Sequence, residues 1–294
     1  MRANYHTHSD FCDGKAAPAV MARAAREAGY DILGFSAHAP FPKGMDCAIK
    51  PERLAEYAAE IRRLGRAWSP EGEEGRLYGP MEILLGLEID WFPPESAPND
   101  GRFSELGLDY CLGSVHFVEV DGAPPFAVDT NEDHFAHDLA RARVDIRTVY
   151  RDYFSRLGAL IDSGGFDILG HFDLVKKNNR RARYFDEASD DYLAAALAAA
   201  DRLAGKDIVV EINVGGMARG KTLEPYPSLA ILRRIRELGL RITIGADAHE
   251  PRHFGLHLEA ARDLATAAGY RSVAVLTKGS WIETGMDEIQ ERAR

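Results

Sequence analysis

Short apolar runs alternate with amphipathic, alanine-rich stretches from one end of this chain to the other. The alternation constrains the fold strongly, because strands followed repeatedly by helices bury both kinds of apolar face as βα units around a parallel sheet. The runs place strands near 3–6, 31–36, 82–88, 109–115, 167–170, 208–212, 241–246 and 272–276. Helices are expected near 16–29, 51–67, 137–163, 187–204, 227–238 and 256–269. Gly29, Gly239 and Gly269 stand where a left-handed C-cap would end three of them. A Gly/Pro-rich excursion from Pro70 to Pro80 and a polar, proline-containing loop from Val118 to Asp138 read as surface insertions. Neither shifts composition enough to divide the chain, so a single domain spanning 1–294 is expected.

The chemistry stands where the strands stop. The first run leads into His6 and His8, then Asp13; the second delivers His38, the third Glu88 and the fourth His116. DILG ends at His171, IVVE at Glu211, and RITIGA at Asp247 and His249. Carboxyl ends of successive parallel strands are where an α/β barrel carries its active site. Residues i and i+2 of a strand share a face, so His6 with His8, and Asp247 with His249, can each act as a pair of metal ligands. Neutral imidazoles with hard carboxylates suit zinc, manganese or iron(II), and one glutamate such as Glu88 can bridge two ions. Six of the ten histidines lie at strand ends, and burying that many imidazoles without a metal would leave donors unpaired. His134 and His137 form an HxxH in the polar insertion and read as a solvated loop, while His253 is a candidate for the pocket lining.

Composition narrows the partners. With 36 basic and 46 acidic side chains the formal charge is −10, which disfavours sequence-independent binding of long nucleic acids. A small anion remains compatible if cations are concentrated locally, as in the loop carrying Lys176, Lys177, Arg180, Arg181 and Arg183, or at Arg219. Cys12, Cys47 and Cys111 are an odd number without CxxC spacing, which points to oxygen and nitrogen metal ligands. No run reaches the ~18 to 20 apolar residues of a membrane span, and the first residues have no signal-peptide core, so a cytoplasmic location is expected.

The ordered set YHTHSDFCDGK (5–15), GFSAHAPFP (34–42), LGLEIDW (85–91), LGSVHFV (112–118), ILGHFDLVKK (168–177), VVEINVGG (209–216) and GADAH (245–249) resembles the PHP (polymerase and histidinol phosphatase) superfamily and, within it, the histidinol-phosphate phosphatases. The resemblance implies a distorted (β/α)7 TIM-like barrel with two or three divalent transition metals. His6, His8, Glu88 and Asp247 would hold the first ion, Glu88, His116 and His171 the second, and Asp13, His38 and His249 the third. It further implies hydrolysis of L-histidinol phosphate by a hydroxide bridging the ions, with a proton delivered to the leaving oxygen by metal-bound water or by a residue such as Asp247 or His249. Arg219, Lys177 and Arg180 would bind phosphate. Glu211 would orient a ligand or take the substrate's ammonium or imidazole, and His253 would line the pocket. Homodimer formation is allowed. The alternatives are a PHP phosphoesterase acting on another small phosphorylated substrate or nucleotide, and a metal-binding module without catalysis.

Overall fold

The computed structural model describes residues 1–41, 47–120 and 122–289. Pro42 of the second motif, residue 121 of the polar loop and residues 290–294 lie outside them. Seven parallel strands pair in chain order: β1 (Ala3–Asn4), β2 (Ile32–His38), β3 (Glu82–Asp90), β4 (Tyr110–Ser114), then, after the hairpin β5 (Phe117–Val118) and β6 (Phe126–Ala127), β7 (Ile168–Leu169), β8 (Val209–Asn213) and β9 (Arg241–Gly245). The two edges meet at a parallel bridge between Thr7 and Ala248. There the His8 N–H donates to the Ala248 carbonyl at 2.9 Å and the Ala248 N–H to the His6 carbonyl at 3.1 Å. The expected seven-stranded TIM-like barrel is thereby nearly closed.

Runs such as ILGFSAH and EILLGLEID are apolar on both faces because both faces are covered. Leu33, Phe35 and Ala37 of β2 and Leu85, Leu87 and Ile89 of β3 pack in the larger of two cores. The alternate positions Ile32, Leu84, Tyr110, Leu112, Ile168 and Val209 belong to the second core, at the start of the strands. The Tyr110 ring leaves no room for side chains at two neighbours: a Cβ at Gly34 or Gly86 would come within 2.3 or 2.5 Å of its atoms. Its hydroxyl donates to the Tyr5 carbonyl at 2.6 Å.

Helices fill the crossovers: α1 (Pro18–Glu27), α2 (Leu54–Ala67), α3 (Glu73–Tyr78), α4 (Glu132–Ala142), α5 (Ile146–Ser163), α6 (Asp190–Asp201), α7 (Gly215–Ala218), α8 (Leu229–Glu237) and α9 (Leu258–Ala267). Gly29, Gly239 and Gly269 have the positive φ expected past three helix ends. The single helix expected over 137–163 is two. Arg143 closes α4 in a left-handed conformation, and the Asp145 side chain caps α5 by accepting the Arg147 N–H, a break that neither glycine nor proline signals.

Two further expectations need correcting. The eighth strand lies outside the barrel: β10 (Ser272–Thr277) pairs antiparallel with β11 (Ser280–Gly285) about Lys278 and Gly279, both at positive φ, as a tight two-residue hairpin requires. This hairpin covers the start of the strands. The Leu276 N–H donates to the Tyr5 hydroxyl at 2.6 Å, and the Glu82 carboxylate accepts from Thr277 and Lys278. The Val118–Asp138 segment is no loose surface loop either, since Val118, Val120, Phe126, Val128 and Phe135 are buried in the main core. The HxxH pair therefore lies on α4, with both histidines exposed.

Candidate metal centre

Period-two geometry sets Ser36 and His38 on one face of β2, Glu88 and Asp90 on one face of β3, and Glu211 and Asn213 on one face of β8. The strand register places His38 opposite Glu88 and Asp90 opposite Ser114. Glu88 is fully buried at the centre of the arrangement. Its Oε2 lies 3.1 Å from His6 Nε2, 3.5 Å from His8 Nε2 and 3.1 Å from His38 Nδ1. Its Oε1 lies 3.0 Å from His171 Nε2 and 3.5 Å from His116 Nε2, and accepts the Ser114 hydroxyl at 2.7 Å.

All nine expected ligands converge in four overlapping groups able to hold a metal: His8, Asp13, His38 and His249; His6, His8 and Asp247; His6, Glu88 and His171; and His38, Glu88 and His116. The grouping is less partitioned than the resemblance implies, because His6, His8, His38 and Glu88 each belong to two groups. Orphaned buried nitrogens fit the same chemistry. His8 Nε2, between Glu88 and Asp247 at 3.5 Å from each, has no hydrogen-bond partner, and neither does His171 Nδ1. Such groups are costly unless something ligates them.

Burial works against charge on His8, and with His249 and His38 beside it the imidazole is pushed down to about 3, a neutral ring ready to ligate. Burial opposes charge on His6 as well, but Glu211, Glu88 and Asp247 outweigh it and raise His6 well above the usual histidine range. His116 is raised to about 10 in the same way, by Asp90 and Glu88 against burial. Burial alone would raise Asp247, yet Arg219 and His6 hold it well below the usual carboxylate range, so it presents no proton at neutral pH.

Two side chains that brace the candidate ligands or their supports escaped the sequence reading. Asp90 accepts the His116 N–H at 3.0 Å and lies 2.8 Å from its Nδ1. Asn213 donates to Glu211 Oε2 at 2.8 Å and caps the turn by accepting the Gly215 N–H. Both stand two residues beyond a carboxylate already singled out, which is the signal that could have found them. Glu211 contacts His6 Nδ1 at 2.9 Å and accepts the His171 N–H at 3.1 Å, so both its oxygens face the ligand shell. Replacing Glu211 with glutamine is expected to weaken metal affinity roughly 10- to 100-fold without unfolding the chain. Metal titration of the chelated variant checks this, and wild-type affinity would remove Glu211 from its orienting role.

The PHP domain family model matches residues 4–215. This chain belongs to the PHP domain family. A protein of Deinococcus radiodurans named "Probable histidinol-phosphatase" is 30% identical over 270 residues, covering 90% of this chain and 93% of that one. Among solved structures, one from Listeria monocytogenes superimposes with a TM-score of 0.75 at 18% identity, over 88% of this chain and 99% of that one. A histidinol phosphate phosphatase of Lactococcus lactis, complexed with zinc, L-histidinol and phosphate, gives a TM-score of 0.64 at 22% identity over 96% and 98%. At these identities the two structures support the fold alone.

The expected phosphate and substrate residues of this PHP domain are scattered. Arg219 reaches the centre, where its guanidinium donates to the Asp247 carboxylate at 2.8 Å and the Asp247 carbonyl at 3.0 Å and lies 3.1 Å from His249 Nδ1. His249 faces Asp13 at 3.2 Å and Asp247 at 3.3 Å. His253 is buried behind it, with Nδ1 accepting the His249 N–H at 3.3 Å. Lys177 is paired with Asp129, and Lys176 is buried between Asp173 and Glu224. Arg180 is not brought to the histidines: it lines a separate cleft of about 300 Å³ with Arg181 and Lys221. Arg183 pairs with Glu132 at the start of α4. Among the described residues, no helix is long and apolar enough to cross a membrane.

Proposed function

We propose that this PHP domain is a metal-dependent phosphomonoesterase that hydrolyses L-histidinol phosphate to L-histidinol and phosphate, with the whole chain acting as one domain. The observation that carries the reading is the convergence of nine ligating side chains on Glu88, in a chain 30% identical to a relative of almost the same extent.

The ligand groups fit two or three divalent ions, with Glu88 shared between groups and Asp13, His38 and His249 completing the outermost one. Zinc, manganese or iron bound there would supply positive charge to the phosphoryl oxygens and acidify the attacking water. The protein's own part is positional. Glu211 and Asp90 fix the rings of His6 and His116, and Arg219 fixes the Asp247 carboxylate from the opposite side. We assign Arg219 to this clamp first. The NH2 group donates one hydrogen to Asp247, and its second hydrogen is the one we assign to a phosphate oxygen. Asp247, held ionised, and His249, given to the outermost ligand group, have no proton to spare, so we assign protonation of the leaving oxygen to water in the pocket.

The test is phosphate release from L-histidinol phosphate and from p-nitrophenyl phosphate, with manganese-reconstituted and chelated protein. A chelator-sensitive preference for histidinol phosphate of about 10²-fold or more is expected, within the range up to about 10⁴- to 10⁵-fold by which a site built to hydrogen-bond a group rejects a substrate lacking it. Equal, slow turnover of both esters would leave a metallophosphoesterase of another substrate. No turnover of either, with metals bound, would favour the non-catalytic module.

A further inference from the structure

Asp129 belongs to none of the ligand groups, yet the chain is built to hold its carboxylate beside them. The Val128 N–H donates to the His116 carbonyl at 2.9 Å, which fixes Asp129 one residue from a strand end that carries a ligand. Buried Asn178 donates to the carbonyls on either side, Val128 and Thr130, at 3.1 Å each. Lys177 Nζ donates to the Asp129 carbonyl at 2.6 Å and to its Oδ2 at 3.3 Å, and among the described residues it is the one hydrogen-bond donor to that carboxylate. Two consecutive residues of the loop after β7 thus clamp a carboxylate of the β5–β6 segment in place. The imidazoles of His116, His171 and His38 lie close enough to act on its charge, so the carboxylate stands beside the centre. It is also partly open to solvent, unlike Glu88.

A fixed carboxylate at this place repels a plain phosphate ester, whose charge has the same sign. It becomes favourable only when the ester carries a cation close to the phosphate, a repulsive element that selects as much as an attractive one. An amino-alcohol phosphate meets that condition, because its ammonium sits on the carbon next to the one bearing the ester oxygen. We infer that Asp129 determines specificity for this class by binding the ammonium group of the substrate, with Lys177 and Asn178 as its positioning residues. The inference rests on the phosphomonoesterase reading above, and the ammonium role that the sequence resemblance allowed Glu211 passes to Asp129, since the Glu211 oxygens already face His6, His171 and Asn213.

The experiment compares kcat/KM for L-histidinol phosphate and for its des-amino analogue, which differ by the amine alone, in wild type, Asp129→Asn and Asp129→Glu. Wild type is expected to favour the amine-bearing ester by roughly 10- to 100-fold, the worth of a hydrogen bond to a charged partner. Asp129→Asn should bring the ratio to within about threefold of unity, and Asp129→Glu should keep part of it, as restoring the charge implies. Calorimetric binding of the two free alcohols gives the same ratio without turnover, should a variant be slow. A wild-type ratio near one, or a ratio that survives Asp129→Asn, overturns the inference. If wild type instead prefers another amine-bearing phosphomonoester and Asp129→Asn erases that preference, the inference stands and the histidinol phosphate reading fails. A wild type inert towards every ester overturns both.

Discussion

Glu88→Gln is expected to lower kcat/KM by about 10³-fold or more, at least the loss seen when one preorganised electrostatic group is removed from an active site. The expectation is this large because one carboxylate stands within 3.5 Å of five histidines on four different strand ends. Glutamine keeps the shape and the contact with Ser114 but removes the charge that two of the ligand groups share. Metal content should fall together with activity, while the circular dichroism spectrum stays that of the folded barrel, whose second core lies at the other end of the strands. Elemental analysis beside steady-state kinetics checks both. A variant that kept its metals and more than a tenth of its activity would show that Glu88 is not the shared ligand.

Chelation is expected to have the largest effect on stability. An ion at a hundred times its dissociation constant stabilises the fold by about 2.7 kcal/mol, so two ions contribute roughly 5 kcal/mol. At about 2–4 °C per kcal/mol for a domain of this order, Tm should fall by about 10 °C or more. The gap should also widen with pH. In the chelated protein His6 and His116 have raised pKa values, so their contribution is complete below the ordinary histidine value of about 6.5 and is lost as pH climbs toward about 10. Metal binding needs the neutral rings, so its contribution grows over the same range. Thermal melts of loaded and chelated protein at pH 6 and pH 9 test the sign. A gap that narrowed would mean the imidazoles do not ligate.

Much of this was legible in the sequence because the fold and the site rest on the same local pattern. A period of two within each apolar run, and a histidine or carboxylate at its end, place His6, His38, Glu88, His116 and His171 around one barrel mouth without any tertiary information. Asp90 and Asn213 obey the same rule and were passed over. What lay beyond reach depends on contacts between distant segments. Asp129 sits in a stretch where Pro124 and Pro125 interrupt the apolar spacing of Val118, Val120, Phe126 and Val128, so it reads as a solvated insertion. Bonds from Lys177 and Asn178, almost fifty residues downstream, help to hold that stretch over the site. For the same reason the orienting role of Glu211 could not be separated from a substrate-binding one, and the pairing of Lys177 was not visible: their partners, His6 and Asp129, are remote in the chain.

Below Glu88 the Tyr110 ring, braced on Tyr5 and lodged against Gly34 and Gly86, stoppers the barrel, and the β10–β11 hairpin is laid across its base. The molecule is therefore a cup and not a tube. Its base carries packing and no chemistry, while its rim carries chemistry on segments whose exchange disturbs little of that packing. The packing that closes the barrel and the choice of ester are written into different residues at opposite ends of the same strands. A lineage can rework the rim, Asp129 included, and leave intact the stopper that keeps the cup standing.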